Sequence, residues 1–232
     1  MKDSVLNRWM WLIGLLVVVL VFVSFGPLSK GQPNENASGV TVAHFYNTHM
    51  TRQWLTIWLV GAALFLLLIY VTQLRAVLVR AGGQRLWPNI VFASGILFVG
   101  GIIVEGSFQV TLLLASHNHE YTVAHFVNFY QQNDELILLI GVIFMTLAAG
   151  LAMLLNREIA PLPKRLGWYS VLVGLVGAAG PLSFFSLLFG FPIWLVATGI
   201  VIAVKQSRGT LGDTAPGGGA SVNAGQVQPV AA

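Results

Sequence analysis

In 232 residues the chain is 56% hydrophobic and only 9% charged. Soluble domains carry roughly 25% charged residues, so this chain cannot cover a water-facing surface and must meet lipid over much of its area. The net charge of +4 does not signal nucleic acid, because the basic residues cluster at the ends of apolar runs. The absence of cysteine excludes disulfides, thiolate metal ligands and a cysteine nucleophile.

A bilayer core about 30 Å thick needs roughly 20 apolar residues as helix. The first run, Trp9 to Phe25, ends at Gly26-Pro27. Lys2 and Arg8 give it a basic start, but it is long for a signal-peptide core and no small-x-small cleavage site follows, so it reads as a retained span over 9–27. The stretch from Gly26 to Gly39 is polar and loop-like. Its Asn36-Ala-Ser38 is a glycosylation acceptor only in a secretory lumen. Further spans are expected over 53–74, 87–112 and 135–155. Gly167 to Val204 is 38 residues without a charge, too long for one span. Gly180-Pro181 and Gly190-Phe191-Pro192 divide it into helices over 167–185 and 191–206. Residues 207–232, rich in Gly, Ala, Ser and Pro, read as a disordered tail. The fold class expected is all-α, with six transmembrane helices arranged as three hairpins.

Ten of the twelve Lys and Arg fall on one side of this layout, and only Lys30 and Arg52 on the other. The positive-inside bias places both termini in the cytoplasm. Each odd-numbered span opens with Arg and then Trp. Trp9, Trp87 and Trp168 are therefore expected as interface anchors.

Thr-Val-Ala-His-Phe occurs twice, at Thr41–Phe45 and Thr122–Phe126, 81 residues apart, and Asn47 is matched by Asn128. This points to duplicated hairpins of like orientation, with each copy forming a short outer interfacial helix. Thr41 and Thr122 are expected as helix caps. Val42, Phe45 and His49 fall near one face, as do Val123, Phe126 and Tyr130. Glycines 95, 100, 101, 106, 174, 177 and 180, with Ala148, Ala149, Gly150 and Ala152, suit close helix packing.

The five histidines lie in or beside the repeats. If the duplicated hairpins pack about a two-fold axis, His44 and His125 become equivalent and two facing imidazoles would suit haem iron. His49, His117 and His119, with Glu120, offer a divalent metal site instead. Against both, His117-Asn-His119 has no established metal spacing, and histidine also sits comfortably at a membrane interface. Glu105 is the one carboxylate within an apolar run. Gln109 shares its face, and an ionisable group in a span is a candidate proton or ligand site. Counting from Trp87 puts Glu105 about 27 Å along the helix, near the outer boundary. Pairing with Arg52 or a histidine is the structural alternative. Asp134 and Glu135 are also suited to pair with Arg52.

Several patterns resemble a family of small, uncharacterised, mostly actinobacterial multi-pass membrane proteins grouped as a domain of unknown function. They are the outer Val42-Ala-His-Phe-Tyr-Asn47 segment leading into Arg52, Leu74-Arg75-Ala-Val-Leu-Val-Arg80-Ala-Gly-Gly, Leu162-Pro163-Lys-Arg-Leu-Gly-Trp168, and Phe191-Pro192-Ile-Trp194-Leu-Val with Val204-Lys205. The resemblance implies a multi-pass fold and a bacterial inner membrane; it carries no activity. No nucleophile–base pair or metal motif marks an enzyme. The expected function is a binding, sensory or accessory membrane component acting through its histidine-bearing outer face, alone, with a membrane protein partner or as a homo-oligomer. The alternative is a proton-coupled carrier of a small solute, which needs a cavity reaching Glu105.

Overall fold

The computed structural model describes residues 3–80, 85–133, 136–155 and 162–208. Among them every regular element is helical. The order is α1 (Asp3–Phe25), α2 (Gly39–Thr48), α3 (Met50–Arg80), α4 (Leu86–His117), α5 (Tyr121–Asn133), α6 (Leu136–Leu155), α7 (Lys164–Gly177), a 3-10 turn (Gly180–Leu182), α8 (Ser183–Phe185), a π turn (Ser186–Gly190) and α9 (Phe191–Ser207). Four helical segments are long and apolar enough to cross a membrane: Val5–Phe25, Met50–Arg80, Leu86–His117 and Ser183–Ser207. The chain is a membrane protein in that sense. Two shorter helices, α6 and α7, complete the bundle. The tail beyond 208 and the pair Asp134, Glu135 lie outside the described residues.

The long helices pack in a closed circuit. α1 lies against α3, α3 against α4, α4 against α6, and α6 against α7. The π turn and α9 then return to α1. Two glycines allow that last contact. A Cβ on Gly199 would sit 2.7 Å from the Trp11 backbone, and one on Gly14 would sit 3.1 Å from the Leu195 carbonyl oxygen. The Tyr70 hydroxyl, from α3, donates to that same carbonyl at 2.6 Å. At the basic end of the bundle Asn7 Nδ2 donates to Gln206 Oε1 at 3.1 Å, both side chains buried. Trp194 is fully buried and donates through Nε1 to Ser170 Oγ at 2.7 Å, tying α9 to α7.

The break between the last two helices differs from expectation. It falls at Gly177–Gly180, not near residues 185–191, and the final helical stretch starts at Ser183. Gly180 takes φ +60°, the left-handed turn that ends α7 at low cost only without a Cβ. Pro181 follows in the first turn of the 3-10 helix, where its missing N–H is not needed. Pro192 does not break the helix. The chain widens into a π turn ahead of it, and Tyr169 Oη donates to the Gly190 carbonyl at 3.1 Å. Of the glycines expected at packing contacts, Gly95 meets Val71, Gly150 meets Gly167 and Val171, and Gly174 meets Leu147, whereas Gly100 and Gly106 face open space. Ala148, Ala149 and Ala152 are buried. Among the tryptophans expected as anchors, Trp9 and Trp168 are exposed. Trp87 is partly buried against the core, its Nε1 buried without a partner.

Gly199→Val forces the α1 backbone aside and is expected to cost about 1–3 kcal/mol, read as a lower unfolding midpoint in detergent. Gly100→Ala, facing open space, should stay within about 0.5 kcal/mol.

Candidate functional site

α4 has 32 residues, about 48 Å at 1.5 Å each, against a hydrocarbon core of about 30 Å. The surplus is at the end away from Arg85, and α2 and α5 wrap it. Val42, Phe45, Tyr46, Leu112, Leu113, Ala115 and Ala124 form a small core there, separate from that of the bundle. The two Thr-Val-Ala-His-Phe segments are thus the walls of a cap.

They exchange matching contacts. Asn47 Nδ2 donates to the Ser116 carbonyl, and Asn128 Nδ2 to the Asn34 carbonyl, each at 2.8 Å. Each asparagine thereby holds the backbone leading into the other segment, one residue out of register. A Cβ on Gly39 would lie 1.8 Å from the Tyr121 carbonyl oxygen, so only glycine admits this approach of α2 to α5. Burial does not follow the match. Phe45 is 9% exposed, inside the cap, while Phe126 is 56% exposed. An exposed face of the expected residues exists on α5, through Val123, Phe126 and Tyr130. On α2 it is turned inward. The caps also differ from expectation. Ser38, not Thr41, caps α2 and accepts from Thr41 N at 3.3 Å. Thr122 lies inside α5.

The histidines have local structural surroundings. His49 Nδ1 shares the Phe45 carbonyl at 3.0 Å, and its ring lies 4.7 Å from the Phe45 ring. His125 Nδ1 bonds the Ala37 carbonyl at 2.8 Å. His119 has φ 61°, the left-handed residue that ends α4. His119 N donates to the Ser116 carbonyl and Glu120 N to the Ala115 carbonyl, the bonding pattern of a Schellman stop. His44 and His117 are exposed. Among the described residues no group of three His, Asp or Glu is placed to hold a metal ion. His44 and His125 stand in unlike environments, the first exposed and the second bonded to the Ala37 carbonyl.

Arg52 clamps a loop. Its Nε donates to the Leu28 carbonyl at 2.6 Å, its Nη2 to the Lys30 carbonyl, and its guanidinium stacks over Phe45 at 5.8 Å. That fastens the strand of chain after α1 to the start of α3.

Below the cap, α1, α3, α4 and the Phe184–Leu195 stretch line a partly open cavity of about 460 Å³. Its walls are apolar: Val17, Val21, Phe22, Ala63, Leu67, Ile102, Leu187 and Phe191 among them. Glu105 and Gln131 are the polar lining residues, both at the cap end. The opposite end is closed by the Tyr70–Leu195 bond and by Phe191, whose ring lies 5.4 Å from Phe98 and stacks on Trp194 at 5.8 Å. Gln131 begins a buried amide chain: its Nε2 donates to Gln109 Oε1 at 2.8 Å, and Gln109 Nε2 donates to Gln53 Oε1. Tyr46, also hydrogen-bonded to Gln109, accepts from Gln32 Nε2 at 2.9 Å. Burial pushes the Tyr46 hydroxyl well above its ordinary 10.0, against a smaller opposing pull from the Gln32 and Gln109 amides. Gln53, Gln131 and Tyr46 were not singled out from sequence; uncharged amides leave only a faint dip in an apolar pattern. Glu105 and Gln109 were, and the fold brings both to this end.

No family model, curated protein or solved structure matches the chain.

The fold holds Tyr46 as the neutral phenol. Its stabilisation is full below pH about 10 and fades as pH rises towards the folded-state value. The stability gap between the wild type and Tyr46→Phe should therefore narrow from pH 8 to pH 11 in thermal unfolding. Gly39→Ala should loosen the cap, making the α4–α5 junction sensitive to protease, whereas His44→Ala should leave cleavage unchanged.

Proposed function

We propose that this chain is a six-span membrane protein that binds a small, largely apolar molecule in the cavity beneath its cap, with Glu105 as the group that meets the ligand's polar end. The observation that carries this is the apolar space with a carboxylate at one end. An ionisable side chain beside an apolar space within a span is a candidate functional group. The pocket's size and its few converging polar groups suit a small ligand. Phe22, Phe25 and Phe184 line the cavity and are also exposed, so the ligand enters sideways from the lipid.

The six spans are α1, α3, α4, α6, α7 and the stretch from α8 through α9, paired as three hairpins. α6 and α7 are short, and their packing between α4 and α9 supports counting them as spans. The first two hairpins descend from one duplicated unit, supported by the exchanged asparagine contacts. Both termini are cytoplasmic and the membrane is a bacterial inner membrane. The charge bias and the resemblance to actinobacterial multi-pass proteins support that placement.

Binding is favoured over proton-coupled transport because Tyr70, Phe98, Phe191 and Trp194 pack across the end of the cavity away from the cap. The histidine face, first expected as the working surface, is replaced here by the space under it.

In lipid nanodiscs a lipophilic fluorescent dye should bind saturably. Ala63→Trp, which fills the cavity, should weaken it about ten-fold or more while the unfolding midpoint stays near wild type. Saturable binding that ignores Ala63→Trp sinks the reading. Uptake by proteoliposomes would turn it towards the carrier. Because the chain has no cysteine, single-cysteine variants at Lys30 and Lys164 report topology directly. Membrane-impermeant maleimide on intact cells should label the first and spare the second.

A further inference from the structure

Resting on the cavity reading above, we infer that residues 26–38 are a latch at the mouth of the cavity, and that Arg52 is the positioning residue that holds it shut. The chain leaves α1 at Gly26-Pro27, because Pro27 has no N–H with which to continue the helix. Phe25 and Gly26, at that exit, line the cavity. From there to Ser38 the chain forms turns but no helix or strand, and not one of its residues is buried. Its own backbone ties are few: the N–H groups of Leu28, Gln32 and Ala37 donate to the carbonyls of Val23, Ser29 and Asn34. What holds it is a row of side chains from other helices. Arg52, on α3, donates to the Leu28 carbonyl at 2.6 Å and to the Lys30 carbonyl. Tyr46, on α2, accepts from Gln32 Nε2 at 2.9 Å. Asn128 and His125, on α5, donate to the carbonyls of Asn34 and Ala37, each at 2.8 Å. The last two grips belong to the second Thr-Val-Ala-His-Phe segment and its matched asparagine.

A segment that buries nothing gains little from packing, so it opens locally at low cost once its side-chain grips let go. Arg52 is the strongest of them, since hydrogen bonds from a guanidinium exceed those from the neutral Asn128 and Gln32 amides. It is also the grip closest in the chain to Phe25 and Gly26. When it releases, those two residues lose their fixed continuation and the mouth widens. The walls deeper in the cavity belong to α1, α3, α4 and the stretch from α8 to α9, and they stay in place. The ligand then enters and leaves faster, while the contacts it makes inside are unchanged. Affinity hardly moves, because the release does not favour the empty or the filled cavity. That separates a latch from a binding residue.

The test is stopped-flow binding of the lipophilic dye to protein in zwitterionic nanodiscs, with empty nanodiscs subtracted for partition. Arg52→Met keeps an apolar stem and removes the donors. It should raise the association and dissociation rates together by about ten-fold or more, the size expected for two charge-assisted bonds, with Kd within about three-fold of wild type. Hydrogen exchange at the amides between Leu28 and Ala37 should quicken in the same variant. A second route does not depend on how that variant folds: a site-specific protease sequence is inserted after Lys30 and cut only after reconstitution. Cutting should speed both rates in the same way. Exchange that does not quicken in Arg52→Met overturns the role of Arg52. Rates that ignore the cut, or a Kd that weakens with the association rate unchanged, overturn the latch and leave a cavity that binds. Dye binding that Ala63→Trp fails to weaken overturns the cavity reading itself.

Discussion

Everything else in this protein depends on α1 and α9 meeting backbone to backbone. Lipid offers no hydrophobic gain for bringing apolar helices together, so close contact and interhelical hydrogen bonds must hold the bundle. Gly14 and Gly199 supply the closeness. The Tyr70 hydroxyl, reaching across to the Leu195 carbonyl at 2.6 Å, locks a third helix to the same place. Had either glycine carried a side chain, α9 would stand off, the floor made by Phe98, Phe191 and Trp194 would open, and the cavity would lose its closed end. The space in the bundle is therefore a product of contact below it, not of loose packing around it.

The second constraint is length. α4 outlasts the bilayer, and its surplus must be covered because it carries Leu112 and Leu113. α2 and α5 do this, each anchored by an asparagine on the other's approach. The cap then carries amides down to the membrane boundary. A buried amide is tolerable only when it is hydrogen-bonded, and the Gln131–Gln109–Gln53 chain satisfies most of its groups internally. What it leaves unpartnered are its two end atoms, Gln53 Nε2 and Gln131 Oε1, both buried. Structure and proposed function meet at Glu105, where the cap reaches the cavity.

Much of this was legible in the sequence. The apolar runs gave the helices, and each of the four membrane-length segments overlies an expected run. Glu105 and Gln109 stood out because a polar group in an apolar run is costly. Of the two expected breakers in the last apolar stretch, Gly180-Pro181 holds, with Gly180 left-handed, whereas a π turn absorbs Pro192 at Gly190-Phe191-Pro192, so the helix limits drawn there were displaced. The repeat was visible, but its meaning was not. Identical pentapeptides need not have identical neighbours: Phe45 is buried in the core of the cap, whereas Phe126 is exposed. The histidines drew notice as titratable groups, yet His119 is fixed by a helix stop and His49 and His125 by backbone carbonyls. Sequence spacing records which residues share a helix face; it does not record which helix that face meets.

The closed circuit is tested most directly by cross-linking across its seam. The protein has no cysteine, so Asn7→Cys with Gln206→Cys makes a clean pair in native membranes, and Arg75→Cys with Asn89→Cys, joined by a 3.0 Å bond between consecutive helices, serves as the control. Mild oxidation should join both pairs, since Asn7 and Gln206 touch at 3.1 Å. A control that cross-links while the Asn7–Gln206 pair stays reduced would contradict the account, because the bundle would then be open and the cavity without its floor.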